Sequence, residues 1–207
     1  MKNTNVKRMV VLGLLTAIML VMSWTPLGYL NIGPLAITLN VIPLAVAAIT
    51  LGPVGGAVTG AVFGLTSFLQ CIGVGGVSLM GEILFSINPF LAFVQRFVPR
   101  VLDGLIIGII FGIIRDKAGV RIASYVTGFL AAFLNTALFM TALVVLFGNT
   151  EYVQNLVAGR NVILFVCTFV GINAIFEMLA CTVISGAVGS ALHKAGVIPQ
   201  KSVKSGE

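Results

Sequence analysis

The chain has 207 residues, 58% of them hydrophobic and only 9% charged. Soluble domains carry roughly 25% charged residues. A soluble fold of this length could not hide so much apolar surface, so lipid is the solvent for most of it. A single membrane domain over 1–207 is expected, with no room for a separate soluble domain. The net charge of +6 sits in short clusters between apolar runs, which membrane topology explains better than nucleic-acid binding.

A spanning helix needs about 20 apolar residues. That length predicts an all-α integral membrane protein with about six transmembrane helices. The first covers 9–24, after Lys2, Lys7 and Arg8. It resembles a signal peptide in charge, but no small-x-small cleavage site closes it, so a retained helix is expected. An uncharged link over 29–34 leads to the second span, 35–51, with Pro43 expected to kink it. Gly52-Pro53 turns the chain into the third span, 54–72, and a Gly-rich loop covers 73–89. The fourth span is 91–114. The charged loop 115–121 leads to the fifth, 122–147, and a polar loop, 148–161, leads to the sixth, 162–192.

Lysine and arginine set the orientation. With the N-terminus inside, Lys2, Lys7, Arg8, Arg115, Lys117, Arg121, Lys194, Lys201 and Lys204 fall on inner segments. The outer loops hold Arg160 alone. Both termini are therefore expected to be cytoplasmic. The long loops then lie outside, where recognition is expected.

Small residues recur every four positions: Gly52, Gly56, Gly60 and Gly64; Gly104, Gly108 and Gly112; Gly13 and Ala17; Gly128 and Ala132. Each row lies on one helix face and lets a neighbouring backbone approach. Internal packing is expected for the third and fourth spans. The Gly13–Ala17 row could instead face a partner protein.

Ionisable groups at membrane depth are costly and often functional. Arg96, Arg100 and Asp103 share one stripe of the fourth span. In one reading Arg100 pairs with Asp103 and Arg96 snorkels to the interface. In the other, an arginine with no carboxylate in its own helix takes an anionic ligand. Asn135 and Thr136 sit near mid-depth in the fifth span, and Asn173 and Glu177 one turn apart in the sixth. They either bond between helices or floor an outward-facing pocket, with Asn40 and Gln70 as walls. Trp24 and Tyr29 lie near the outer interface, as belt aromatics or as pocket walls. Cys71, Cys167 and Cys181 form no C-x-x-C pair and read as buried small hydrophobes. His193 closes the last apolar run. No P-loop, H-E-x-x-H or G-x-S-x-G motif is present, so neither nucleotide binding nor catalysis is expected of this chain.

The segments Thr25–Pro34, Ile37-Thr38-Leu39, Ile42-Pro43-Leu44, Leu51-Gly52-Pro53, Gly60–Ser67 and Phe97-Val98-Pro99-Arg100 carry a resemblance. They resemble the substrate-binding S components of energy-coupling factor (ECF) transporters, most of all the pantothenate branch, over nearly the whole chain. The resemblance implies a bacterial plasma-membrane protein that binds a small water-soluble vitamin at its outer face. It also implies docking on a transmembrane coupling subunit, the T component, attached to two cytoplasmic ATPases, followed by toppling in the membrane. ATP would be used by those partners, leaving this chain without a cofactor and without enzyme activity. In the family a small-residue row on the first helix, usually A-x-x-x-A, serves docking. Here Gly13 and Ala17 occupy it. The substrate is then expected among Arg96, Arg100, Asn135, Asn173, Asn40, Gln70, Tyr29 and Trp24. Relatives for folate, riboflavin and other vitamins share the architecture. Two other classes stand beside this one: a proton-coupled secondary transporter using Glu177 or Asp103, and an assembly protein using only the glycine rows.

Overall fold

The computed structural model describes residues 2–25, 28–31, 36–158 and 162–198. Arg160, Lys201 and Lys204 lie outside the described residues. In lipid the backbone must satisfy its own hydrogen bonds, so the apolar runs become helices. They are α1 (Lys2–Ser23), α2 (Val41–Leu69), α3 (Leu79–Ile87), α4 (Pro89–Phe147), α5 (Glu151–Val157) and α6 (Val162–Lys194). Four of them, α1, α2, α4 and α6, are long and apolar enough to cross a membrane. The chain is an all-α, multi-span membrane protein.

Two of the long helices are broken. Gly52 (φ 76°, ψ −163°) interrupts α2, and Gly119 (φ 83°, ψ 165°) interrupts α4. Glycine tolerates such angles because it has no Cβ. The chain reverses at both points. A straight helix would hold Arg100 about 58 Å from Phe139 at 1.5 Å per residue. Instead the Arg100 guanidinium carbon lies 4.8 Å from the Phe139 ring centroid. Across the other break, a Cβ built on Gly56 would lie 3.2 Å from the Ala48 Cβ. The arms 41–51 and 53–69, and 89–118 and 120–147, therefore run antiparallel in pairs. The kink expected at Pro43 is absent. The helix begins at Val41, so Pro43 sits in its first turn, where a missing N–H breaks no ladder bond.

The connections hold more structure than their composition suggested. Within the link after α1, strands β1 (Tyr29–Asn31) and β2 (Ala36–Thr38) form an antiparallel hairpin with Tyr29 opposite Thr38. The Gly-rich loop contains α3, capped by Ser78, whose Oγ accepts the Gly81 N–H at 3.2 Å. Asn88 caps α4 by accepting the Leu91 N–H at 3.1 Å, with Pro89 at the first helical position. Thr150 caps α5 through the Val153 N–H at 3.4 Å. At nine and seven residues, α3 and α5 are too short for helical periodicity to stand out in the sequence.

The hairpin, α3 and α5 lie at one end of the bundle, here the hairpin end. The reversals at Gly52 and Gly119 lie at the other. That second end carries Lys7, Arg8, Arg115, Lys117, Arg121 and Lys194, and Arg8 Nη2 donates to the Leu51 carbonyl at 3.0 Å. The hairpin end carries the exposed acids Glu82 and Glu151.

Glycine rows seat arm 53–69 on arm 89–118. A Cβ on Gly60 would lie 2.2 Å from the Arg100 carbonyl oxygen, one on Gly64 2.8 Å from the Phe97 Cα, and one on Gly108 2.6 Å from the Pro53 Cα. This is the internal packing that the spacing predicts. Gly52 and Gly112 leave their rows, since neither has an atom within 4 Å. Gly128 brings arm 120–147 against α6, with the Cys181 carbonyl oxygen 2.5 Å from a Cβ there.

Candidate functional site

A buried apolar cluster lies across the middle of the bundle. It contains Met19, Val41, Leu44, Ala45, Ala48, Phe63, Ile107, Ala131, Ala132 and Cys181. Each helical arm supplies at least one of these residues. One turn toward the hairpin end from them, the chemistry changes on every arm. Met19 is followed by Ser23, Leu44 is preceded by Asn40, and Phe63 is followed by Ser67. Ile107 is preceded by Asp103, Ala131 is followed by Asn135, and Cys181 is preceded by Glu177. All six of these polar residues are buried. Residues four apart on a helix stack on one face. The apolar cluster is therefore the floor of a polar layer on its hairpin side.

Above the layer lies a second apolar cluster. It joins Met80 and Leu84 of α3, Ala92, Met140, Leu143 and Phe147 of α4, Val153 of α5 and Ala174 of α6. Rings of Phe68, Phe85, Phe93 and Phe97 pack beside it at centroid distances of 5.0–5.9 Å. The polar layer is thus closed by apolar packing on both sides.

Arg96 and Arg100 reach into this layer. They are 6% and 4% exposed, a burial that charged side chains tolerate only with compensation. Part of it is aromatic. The Phe139 ring centroid lies 5.2 Å from the Arg96 guanidinium carbon and 4.8 Å from that of Arg100, and Phe63 lies 5.0 Å from Arg100. Arg96 donates from Nη1 to Ser67 Oγ at 3.4 Å and from Nη2 to Ser78 Oγ at 3.1 Å. Its Nε has no partner among the described residues. Outside the spans, burial pushes the Tyr152 phenol up from its ordinary range, with the Arg96 guanidinium working against that shift. Gly81 on α3 backs onto the same group. A Cβ there would lie 2.8 Å from the Cys71 sulfur and 3.1 Å from Arg96 Nη2.

The remaining expected residues divide. Asn135 belongs to the layer, and its Oδ1 has no partner among the described residues. Asn173 lies one turn toward the hairpin end from Glu177 on α6. Asn40 and Gln70 join a network around Ser23. Asn40 Nδ2 donates to Ser23 Oγ at 3.1 Å, Ser23 Oγ donates to Thr66 Oγ1 at 3.1 Å, and Gln70 Nε2 donates to the Ser23 carbonyl at 3.2 Å. This network ties the end of α1 to both arms of α2. Trp24 is exposed and rests on Gly75, whose Cβ would lie 2.0 Å from its ring. The Tyr29 backbone pairs in the hairpin, and its side chain lies outside the described structure. The Cys167 side chain does too. Gly13 and Ala17 are exposed, and no atom lies within 4 Å of a Cβ built on Gly13.

Several residues of the layer carry no ionisable or motif signal in the sequence. Phe63 and Phe139 are two of 14 phenylalanines, and only folding sets them against arginines. Gln95 is fully buried beside Arg96, with neither side-chain polar atom partnered among the described residues. Glu177 accepts the Thr38 N–H at 2.5 Å and so fastens β2 to α6. The one-turn offset from apolar to polar on every arm was present in the sequence, but only the arm pairing brings those offsets around one apolar cluster.

A sealed layer with two buried guanidiniums, neutral amides and hydroxyls suits capture of a small polar anion. A family model described as "ECF transporter, substrate-specific component" matches residues 7–188. The chain is 32% identical over 210 residues to the "Pantothenate transporter PanT" of Leuconostoc mesenteroides subsp. mesenteroides, covering 95% of this chain and 99% of that relative. It is 26% identical over 208 residues to the "Pantothenic acid transporter PanT" of Lactococcus lactis subsp. cremoris, covering 94% of this chain and 98% of the relative. The family match includes a part of every arm that builds the polar layer. The chain is a non-catalytic, membrane-embedded transport subunit, and it belongs to the ECF transporter substrate-specific component family.

Proposed function

We propose that this chain captures pantothenate at the outer face of a bacterial plasma membrane for an ECF importer. The observation that carries the reading is the pair of buried guanidiniums packed on Phe139 in a layer closed on both sides. Pantothenate has one carboxylate, an amide and two hydroxyls. One arginine can take the carboxylate, and Asn135, with Asn173 a turn above the layer, can bond the polar middle. The names of the two relatives support the same substrate.

The arms form six spanning segments with both termini in the cytoplasm, and the hairpin end faces outward. The cations at the opposite end support this orientation. A T component and two ATPases complete the importer. Gly13 and Ala17 form the docking face on α1, and their openness supports it. The test is calorimetric titration of the detergent-solubilised protein with pantothenate and, separately, with folate and riboflavin. Saturable binding of pantothenate alone is expected. Binding of another vitamin in its place would overturn the substrate assignment and leave the family membership standing.

A further inference from the structure

The polar layer has more hydrogen-bonding capacity than the described residues use. Toward the hairpin end the unused capacity includes Arg96 Nε and both side-chain polar atoms of Gln95. Against the apolar floor it includes both carboxyl oxygens of Asp103, Oδ1 of Asn135 and Oδ1 of Asn40. Asp103 is 0% exposed, and neither of its oxygens accepts a hydrogen bond from Arg100 or any other described residue. A buried acceptor left without a donor costs roughly 1–3 kcal/mol, so such a group calls for a partner that the described chain does not supply. Glu177, the other acid at this level, already accepts the Thr38 N–H.

Asp103 also points the right way. It lies on the same stripe as Arg96 and Arg100, seven and three residues further along the arm. Side chains on a helix tilt toward its N-terminus, which for arm 89–118 is the hairpin end. The rise from Arg96 to Asp103 is about 10 Å along the axis. That matches the separation between the carboxylate and the hydroxyl end of an extended pantothenate.

We infer that Asp103 is a specificity-determining residue of this site, accepting hydrogen bonds from hydroxyl groups at the end of the ligand remote from its carboxylate. The inference rests on the pantothenate reading and deepens it. The ligand stands carboxylate toward the hairpin end and hydroxyls toward the floor. Asp103 receives those hydroxyls. An anion without donors at its far end would leave the Asp103 carboxyl buried and unmet, so the site discriminates against it.

The test compares pantothenate with its analogue in which both hydroxyls are replaced by hydrogen, titrated into the full-length detergent-solubilised protein. Wild type should prefer pantothenate by about tenfold or more. Asp103→Leu should shrink that preference to within about twofold. An undiminished preference in Asp103→Leu overturns the inference. Should that variant fail to fold, wild type carries the test alone. The sequence holds only two aspartates, Asp103 and the exposed Asp116. Infrared difference spectra with carbon-13 aspartate therefore isolate the buried carboxyl. Its band should move with pantothenate and stay still with the analogue, and equal spectra for the two ligands overturn the inference. A wild type that ignores pantothenate altogether is a separate result. It removes the substrate reading and this inference with it, whereas pantothenate binding without hydroxyl discrimination removes the inference alone.

Discussion

Gly56 and Gly104 face one another so closely that a Cβ on either would lie 2.1 Å from the carbonyl oxygen of the other. The contact joins arm 53–69 to arm 89–118 below the polar layer. Gly60 continues it to the Arg100 carbonyl, so the seat of the site's deeper arginine depends on this seam.

Gly56→Ala or Gly104→Ala should force the arms apart, because the obstacle is backbone and cannot swing away. Overpacking of this kind costs about 1–3 kcal/mol. Thermal unfolding in detergent should show a lower melting temperature for both variants. Gly112→Ala, with open space around it, should melt like wild type. Equal melting of all three would contradict the close approach.

Arg96 and Arg100 can be separated as carboxylate ligands. A charged hydrogen bond contributes roughly 1.5–3 kcal/mol, so losing the one that holds the ligand should weaken pantothenate binding by about tenfold or more. Arg96 already spends two nitrogens on Ser67 and Ser78. Arg96→Gln should therefore also loosen the start of α3, and Arg100→Gln should leave it intact. Wild-type affinity in both variants would remove the carboxylate model.

Bulk on the open face of α1 should block transport without touching the site. Gly13→Leu or Ala17→Leu prevents close helix approach. Vitamin uptake by cells should fall to background, while the purified variants bind ligand as wild type does. Uptake that persists in both variants would rule out docking through this row.

Single cysteines placed at Lys2 and Lys201 in a cysteine-free background report the sidedness of the termini. Both should resist an impermeant thiol reagent in whole cells and react after lysis. Labelling of one and not the other in intact cells would refute the shared cytoplasmic location.

Glu177 should hold the hairpin through Thr38. Its carboxyl accepts that backbone N–H at 2.5 Å, a bond of the charged class worth about 1.5–3 kcal/mol. Glu177→Leu leaves the N–H without an acceptor, and amide exchange at Thr38 should speed up. Glu177→Gln keeps an acceptor oxygen and should slow exchange again. Exchange unaffected by Glu177→Leu would show that the strand is held by other contacts.

The sequence by itself determined the membrane character, because 58% hydrophobic residues leave no soluble solution. It marked the apolar runs that form the long helices, because lipid admits few other backbones. It also singled out Arg96, Arg100, Asn135 and Glu177, because charge and amide groups stand out against apolar runs. The kink went to Gly52 rather than Pro43. A proline matters only where it removes a ladder bond, and that depended on a helix start at Val41 that hydropathy did not mark. The tertiary structure alone decided that Phe63 and Phe139 face the arginines and that Thr38 meets Glu177. It alone brought the six one-turn offsets from apolar to polar around one apolar cluster. Those relationships join residues up to 139 positions apart, as Thr38 and Glu177 are. Periodicity records which face of a helix is polar, but the depth at which two helices align is set by glycine contacts such as Gly56 on Gly104, which exist only between packed arms.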